Sequence, residues 1–146
     1  MPNNEHETVE KQGQCLCGAV KFRADIKSND IGVCHCSMCR RWSGGVMFAV
    51  EFAGDLKFDD NAALGLYESS DWGERGFCKN CGTSLFWRMR GGGHGVVTRN
   101  ALVDPDDGHL THEIFIDDKP AFYNFAETTQ KMTGAEIFAM FAPKKD

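Results

Sequence analysis

Seven cysteines, grouped as Cys15-Leu16-Cys17, Cys34-His35-Cys36-Ser37-Met38-Cys39 and Cys78-Lys79-Asn80-Cys81, constrain what this chain can fold into more than any other feature of it. Thiolates two or three residues apart on a tight turn can converge on one soft cation, and zinc is the cation that most often takes four of them. A structural zinc site is closed by four protein ligands, whereas a catalytic site holds three and keeps one position open. The CxC and the CxxC each offer two ligands, and neither closes a site alone. The economical pairing therefore sets Cys15, Cys17, Cys78 and Cys81 around one zinc and leaves Cys34, Cys36 and Cys39 around a second, open one. A single four-cysteine site with three free buried thiols is an alternative that spacing leaves standing.

Disulfides fit poorly. The cysteine count is odd, a bridge inside CxC would be strained, and the opening residues Met1 to Glu10 have neither a basic start nor an apolar run that would direct export. At 146 residues the chain has the size of one domain. Residues 1–12 read as a flexible polar tail and 13–146 as a single zinc-binding domain. No apolar stretch approaches the roughly 20 residues needed to span a bilayer, so a soluble, cytoplasmic protein is expected. With 16 basic and 21 acidic side chains the formal net charge is −5, which gives no global attraction for phosphate backbones and argues against a nucleic-acid partner.

Short alternating segments predict a mostly β architecture with little helix. Strands are expected over Ala19–Asp25, Ile31–Val33, Val46–Phe52, Leu56–Phe58, Leu64–Tyr67, Ser84–Met89, Val96–Leu102 and Leu110–Ile116. Turn chemistry at Gly54-Asp55, Asp71–Gly73, Gly91–Gly95 and Asp104–Gly108 separates them. One helix is expected over Gly134–Phe141, where Thr133 and Glu136 have capping-box spacing, and a single helical turn over Arg40–Trp42.

The run Gly91-Gly92-Gly93-His94-Gly95 lacks the downstream Gly-Lys-Ser/Thr of a phosphate loop and reads as a hairpin connection. His94 on it, like His6, His109 and His112, reads as a solvated histidine. The group Phe115, Phe122, Tyr123 and Phe125 reads as core, since no basic residues interleave with it as strand-binding proteins require. His35, between two candidate ligands on an extended segment, should point away from the metal into a packing or supporting role. Arg40 and Arg41, adjacent in sequence, should not share a direction, and they read as a solvated basic face. Trp42, Ser43 and Gly44 follow the last cysteine of the central cluster closely enough to line a pocket.

Taken together, Gln14-Cys-Leu-Cys-Gly18, Cys34-His-Cys-Ser-Met-Cys-Arg-Arg-Trp-Ser-Gly44 and Phe77-Cys-Lys-Asn-Cys-Gly-Thr83 resemble the glutathione-dependent formaldehyde-activating enzyme family, which also contains centromere protein V. The resemblance runs from about Gly13 into the segment His112–Ala126. It implies a β-tent fold of short antiparallel strands around zinc knuckles, with Cys15, Cys17, Cys78 and Cys81 on a structural zinc and Cys34, Cys36 and Cys39 as the catalytic-type ligands. It also implies a carbon–sulfur lyase activity on S-(hydroxymethyl)glutathione, with glutathione and formaldehyde as small-molecule partners.

A zinc held by three thiolates offers an open position suited to a soft thiol, and coordination would deprotonate it. That chemistry favours a lyase acting on a thiol–aldehyde adduct. A non-catalytic zinc-binding module and, more weakly, a thiol redox protein using Cys34, Cys36 or Cys39 are the other function classes that the residues allow.

Overall fold

The computed structural model describes residues 7–104 and 108–141. Its elements in chain order are β1 (Val9–Gln14), β2 (Lys21–Ile26), β3 (Asp30–Cys34), α1 (Ser37–Ser43), β4 (Met47–Phe58), β5 (Leu64–Glu68), β6 (Gly73–Cys78), β7 (Ser84–Met89), β8 (Gly95–Thr98), β9 (His109–Ile114), β10 (Gln130–Met132) and α2 (Gly134–Phe141). Two 3-10 turns lie at Arg99–Ala101 and Ile116–Asp118. The chain is mostly β, as its short alternating segments predict. Among the described residues no helix is long and apolar enough to cross a membrane.

The chain divides into two compact units, one from Met1–Asn29 and Ala49–Asp107, the other from Asp30–Phe48 and Gly108–Asp146. In the first unit all pairing is antiparallel: β1 on β2, β2 on β4, and then β4, β8, β7, β6 and β5 in turn. Period-two alternation makes β2 a strand, with Phe22, Ala24 and Ile26 buried while Lys21 and Arg23 face out. The rings of Phe22, Phe58 and Phe86 stack in sequence at 5.8 and 5.9 Å between centroids, and Val20, Leu85 and Val97 complete this core.

Several elements differ from the sequence expectation for identifiable reasons. β1 begins at Val9, inside the stretch read as tail, because its backbone finds a full set of partners on β2 from Val9↔Ile26 to Gln14↔Lys21. Residues 1–6, with His6, lie outside the described residues. The turn expected at Gly54-Asp55 is absent: β4 runs unbroken from Met47 to Phe58, and the positive φ of Gly54 (66°) accompanies a register shift against β2. β6 gave no strand signal because its buried positions are held by Gly73, Arg75, Gly76 and Cys78, none of them a large apolar residue. A side chain at Gly76 would meet the Phe86 ring at 2.1 Å, so the strand's apolar cover comes from its neighbour.

The second unit pairs β3 with β9 and β9 with β10, all in parallel. β9 stops at Ile114, short of the expected Ile116, because Phe115 turns into the left-handed region (φ 54°) and the Ile116–Asp118 turn follows. The aromatic group read as core is not core. Phe115, Tyr123 and Phe125 are half-buried, and Phe122 is 83% exposed. α1 is longer than the single turn expected, and Gly44 ends it with φ 77°, donating its N–H to the Arg40 carbonyl at 2.9 Å.

Candidate metal centres

The first unit brings Cys15, Cys17, Cys78 and Cys81 together, with one sulfur from each and all four within 4.8 Å of one another. Cys15 and Cys17 flank the turn that leads into β2, and Cys78 and Cys81 flank the turn between β6 and β7. Cys15 Sγ and Cys17 Sγ lie 3.7 Å apart, Cys17 Sγ and Cys78 Sγ 3.8 Å. A tetrahedral zinc with its usual bond length to sulfur separates its ligands by about 3.8 Å, so the donor set fits that ion. A disulfide would need about 2 Å, and all seven cysteines are free. Backbone amides point at the sulfurs: Val20 N–H donates to Cys15 at 3.2 Å and Cys81 N–H to Cys78 at 3.4 Å. The Thr83 hydroxyl, which the sequence did not single out, contacts Cys81 Sγ at 3.2 Å and accepts from Leu16 N–H at 3.0 Å, joining the two turns.

Crowded thiols compete for ionisation. Cys81 is pulled down to about 5 by the Thr83 hydroxyl and amide and by the Cys17 amide. Burial pushes Cys15 up, but hydrogen bonds from the Val20 amide and from Cys78 and Cys17 bring it below the usual thiol range. The Ala19 amide pulls Cys17 down, and desolvation with the neighbouring sulfurs outweighs it to reach about 11. A bound dication relieves this competition by deprotonating its ligands.

In the second unit Cys34 at the end of β3, Cys36 at the start of α1 and Cys39 within it form a three-sulfur group, again all within 4.8 Å. Cys36 caps α1, its sulfur accepting from Cys39 N–H at 3.3 Å. Hydrogen bonds from Cys34 and Cys39, with the Cys39 and Met38 amides, hold Cys36 down at about 2. Cys34 is pushed far up by the same pair of neighbours and by burial. Three converging sulfurs of this kind suit a zinc with one position left for another ligand.

His35 is fully buried, and its ring nitrogens are not grouped with the three sulfurs. Its Nε2 lies 2.8 Å from Glu113 Oε1 and its Nδ1 2.7 Å from the Tyr123 hydroxyl. Glu113 in β9 also accepts from the Thr129 hydroxyl at 2.6 Å, and Lys131 Nζ lies 3.7 Å away. Burial raises the Glu113 carboxyl, but hydrogen bonds from Thr129 and His35 outweigh it and hold the group below its usual range. Neither Glu113 nor Tyr123 was a sequence candidate. The only signal was an acidic residue in the middle of a strand pattern.

Arg40 and Arg41 diverge, and only Arg41 is the solvated group expected of both: Arg41 is exposed, while Arg40 is half-buried with its Nε donating to the His35 carbonyl at 2.9 Å. Trp42 is half-buried, and Ser43 and Gly44 form the end of α1, where Ser43 Oγ contacts Gly45 O at 3.1 Å. His109 is exposed, as read. His112 is half-buried over Gly32, where a side chain would strike its ring at 2.1 Å. His94 joins neither sulfur group. It packs against Trp87 with centroids 6.0 Å apart and lies 3.9 Å from Glu51.

The model of the glutathione-dependent formaldehyde-activating enzyme family matches residues 10–118, a span that includes all seven cysteines. A Schizosaccharomyces pombe protein named as an uncharacterized lyase is 35% identical over 130 residues, covering 88% of this chain and 94% of the relative. A Halomonas elongata protein named "Putative glutathione-dependent formaldehyde-activating enzyme" is 32% identical over 84 residues, 51% of this chain and 54% of that relative. A crystal structure of a Rhodobacter sphaeroides protein superposes with a TM-score of 0.56 at 29% identity, covering 68% of this chain and 96% of that one. The motifs, the sulfur geometry and the length of the family match agree, and the chain belongs to the glutathione-dependent formaldehyde-activating enzyme family.

Proposed function

We propose that this chain is a zinc-dependent carbon–sulfur lyase that makes and breaks the adduct of a small thiol with an aldehyde, as in S-(hydroxymethyl)glutathione. The observation that carries the reading is the three-sulfur group Cys34, Cys36 and Cys39, with no fourth His, Cys, Asp or Glu donor grouped with it among the described residues. In this reading Cys15, Cys17, Cys78 and Cys81 hold a structural zinc and Cys34, Cys36 and Cys39 hold the catalytic one, two ions per chain. The free state of all seven thiols suits a reducing compartment, in line with a cytoplasmic enzyme.

Zinc bound by the three cysteines supplies a Lewis acid that favours the thiolate form of a substrate thiol. In the forward direction the thiolate sulfur attacks the aldehyde carbon, a carbon–sulfur bond forms, and the carbonyl oxygen takes up the electron pair and a proton from solvent. In reverse the hydroxyl proton leaves, the carbonyl re-forms, and sulfur departs with the bonding pair. The chain's contribution is to hold the three cysteines on a turn fixed by the Cys36 cap and by the bond from Arg40 Nε to the His35 carbonyl between two of them.

The test is exchange spectroscopy on formaldehyde and glutathione with zinc-loaded protein. Acceleration above the spontaneous rate is expected, returning to background for Cys36→Ser. If a broad set of thiols and aldehydes shows no acceleration with zinc fully bound, the lyase reading falls and a binding module replaces it.

A further inference from the structure

We propose that β5 is a self-association strand: two copies of this chain pair β5 against β5, antiparallel, about a two-fold axis at Leu66. Among the described residues β1, β5 and β10 each pair with a single neighbouring strand. An uncovered strand edge is a template for another chain, and proteins blunt it with lysine, proline, a bulge, shortness or a cover. Two of these edges are blunted so. β1 carries Glu10 and Lys11, and its outer edge is taken at Gln12, whose carbonyl accepts from Val103 N–H at 2.9 Å and whose amide donates to Asp104 Oδ2 at 3.2 Å. β10 is three residues long with Lys131 at its centre. β5, Leu64-Gly65-Leu66-Tyr67-Glu68, has no lysine, no proline and an unshifted register against β6, and Leu66 and Tyr67 on it are 51% and 63% exposed. Its one charge is already engaged, Glu68 Oε2 lying 3.1 Å from Arg90 Nη2.

The backbone bonds fix which groups face outward. Lys79 N–H donates to Ala63 O at 2.7 Å and Ser69 N–H to Gly73 O at 3.1 Å, and in the unbroken register between them Gly65 faces Phe77 and Tyr67 faces Arg75. Bonded pairs alternate along an antiparallel ladder, so Gly65 and Tyr67 direct their backbone groups to β6, while Leu64, Leu66 and Glu68 direct theirs to the open edge. Of these groups the Leu64 N–H is taken by Asn61 O at 3.1 Å. A second copy with Leu66 opposite Leu66 matches each Leu66 N–H to the other Leu66 C=O, and each Glu68 N–H to the other Leu64 C=O. The side chains agree with that register. Leu66 meets its counterpart on one face. On the other, Tyr67 falls opposite Gly65, over which the Phe77 ring and the Lys79 stem lie 2.5 and 3.0 Å from where a side chain would begin, so the incoming phenol finds a ring and an alkyl stem. The occupant that carries leucine opposite Leu66 and a ring opposite Gly65 is a second copy of this strand, in the isologous arrangement that two-fold dimers use. A five-residue pairing is far smaller than a standard interface of about 1,600 Å², so the dimer forms and dissociates with concentration.

The experiment follows amide hydrogen exchange by NMR on the zinc-loaded protein from about 20 μM to about 1 mM, with sedimentation velocity over the same range. Mass should move from one chain toward two as concentration rises. For a dissociation constant of about 0.1 mM, exchange at the Leu66 and Glu68 amides should slow by about fourfold across that range. The Gly65 and Tyr67 amides, bonded to β6 at every concentration, should not change. Leu66→Pro removes the outward donor and no bond to β6, and it should stay a single chain throughout. A single chain at every concentration in the wild type overturns the proposal. So does a dimer in which the Leu66 and Glu68 amides exchange as freely as solvated ones, or a dimer that survives Leu66→Pro. If Leu66→Pro does not fold, the wild-type amide pattern decides.

Discussion

Glu113 is a single carboxylate, 3% exposed, on which the second unit's polar interior converges from Thr129, His35 and Lys131. Its folded pKa lies below the unfolded value because those donors outweigh the cost of burial. Its stabilising contribution is therefore complete above the unfolded carboxyl range near pH 4 and is lost as pH falls through the lower, folded value. Glu113→Gln should flatten that acid limb while lowering stability at pH 7 by about 1–3 kcal/mol, measurable by urea unfolding from pH 7 down to 3. An unchanged acid limb would remove Glu113 as its source. The contrast with the cysteines shows where the sequence is legible at this scale. Cysteines two or three residues apart declare themselves by spacing, and Cys15, Cys17, Cys78 and Cys81, like Cys34, Cys36 and Cys39, gather as that spacing predicts. The groups behind His35 are 78 and 88 residues away, so nothing local to His35 names them.

At the scale of elements, legibility followed how local the stabilising interaction is. The start of α2 was readable because its cap is written within four residues. Thr133 N–H donates to Glu136 Oε1 at 2.7 Å, and Glu136 N–H donates to Thr133 Oγ1 at 3.2 Å. β7 was readable because its own apolar residues fill its buried positions. β6 and β1 were not, since one is covered by a neighbour's aromatic rings and the other is held by backbone pairing that polar side chains do not advertise. Gly54 misled for the opposite reason, because a positive φ serves a bulge as well as a turn. The cap makes a quantitative expectation. Thr133→Ala should cost about 1 kcal/mol, and Thr133→Ala with Glu136→Ala less than the sum of the two single changes, since each removes part of one reciprocal pair. Chemical denaturation of the four proteins measures it, and strict additivity would show that the box is not cooperative.

For the whole molecule, the decisive asymmetry is how much chain each sulfur group closes. Cys17 and Cys78 meet across 61 residues, whereas Cys34, Cys36 and Cys39 lie within one short stretch. By analogy with a covalent cross-link, tethering a 60-residue loop removes roughly 4 kcal/mol of unfolded-state entropy, and a loop of about five residues roughly 2 kcal/mol. With zinc in both sites, Cys78→Ser should therefore lower the melting temperature well beyond Cys39→Ser, or abolish soluble expression. Cys39→Ser should leave a folded protein with less metal and no adduct exchange. Metal loss should follow the same order. Freshly isolated, reduced protein should carry up to two zinc ions per chain by elemental analysis, and mild chelation should first strip the three-sulfur site, whose open position admits the chelator. The four-sulfur site should release its ion only as the protein unfolds, because leaving requires breaking a closed shell that also holds distant parts of the chain. Trace metal in fresh protein would remove zinc from the account. If instead Cys39→Ser is the more destabilised variant, and chelation empties the four-sulfur site first, then the structural and catalytic assignments of the two groups are reversed.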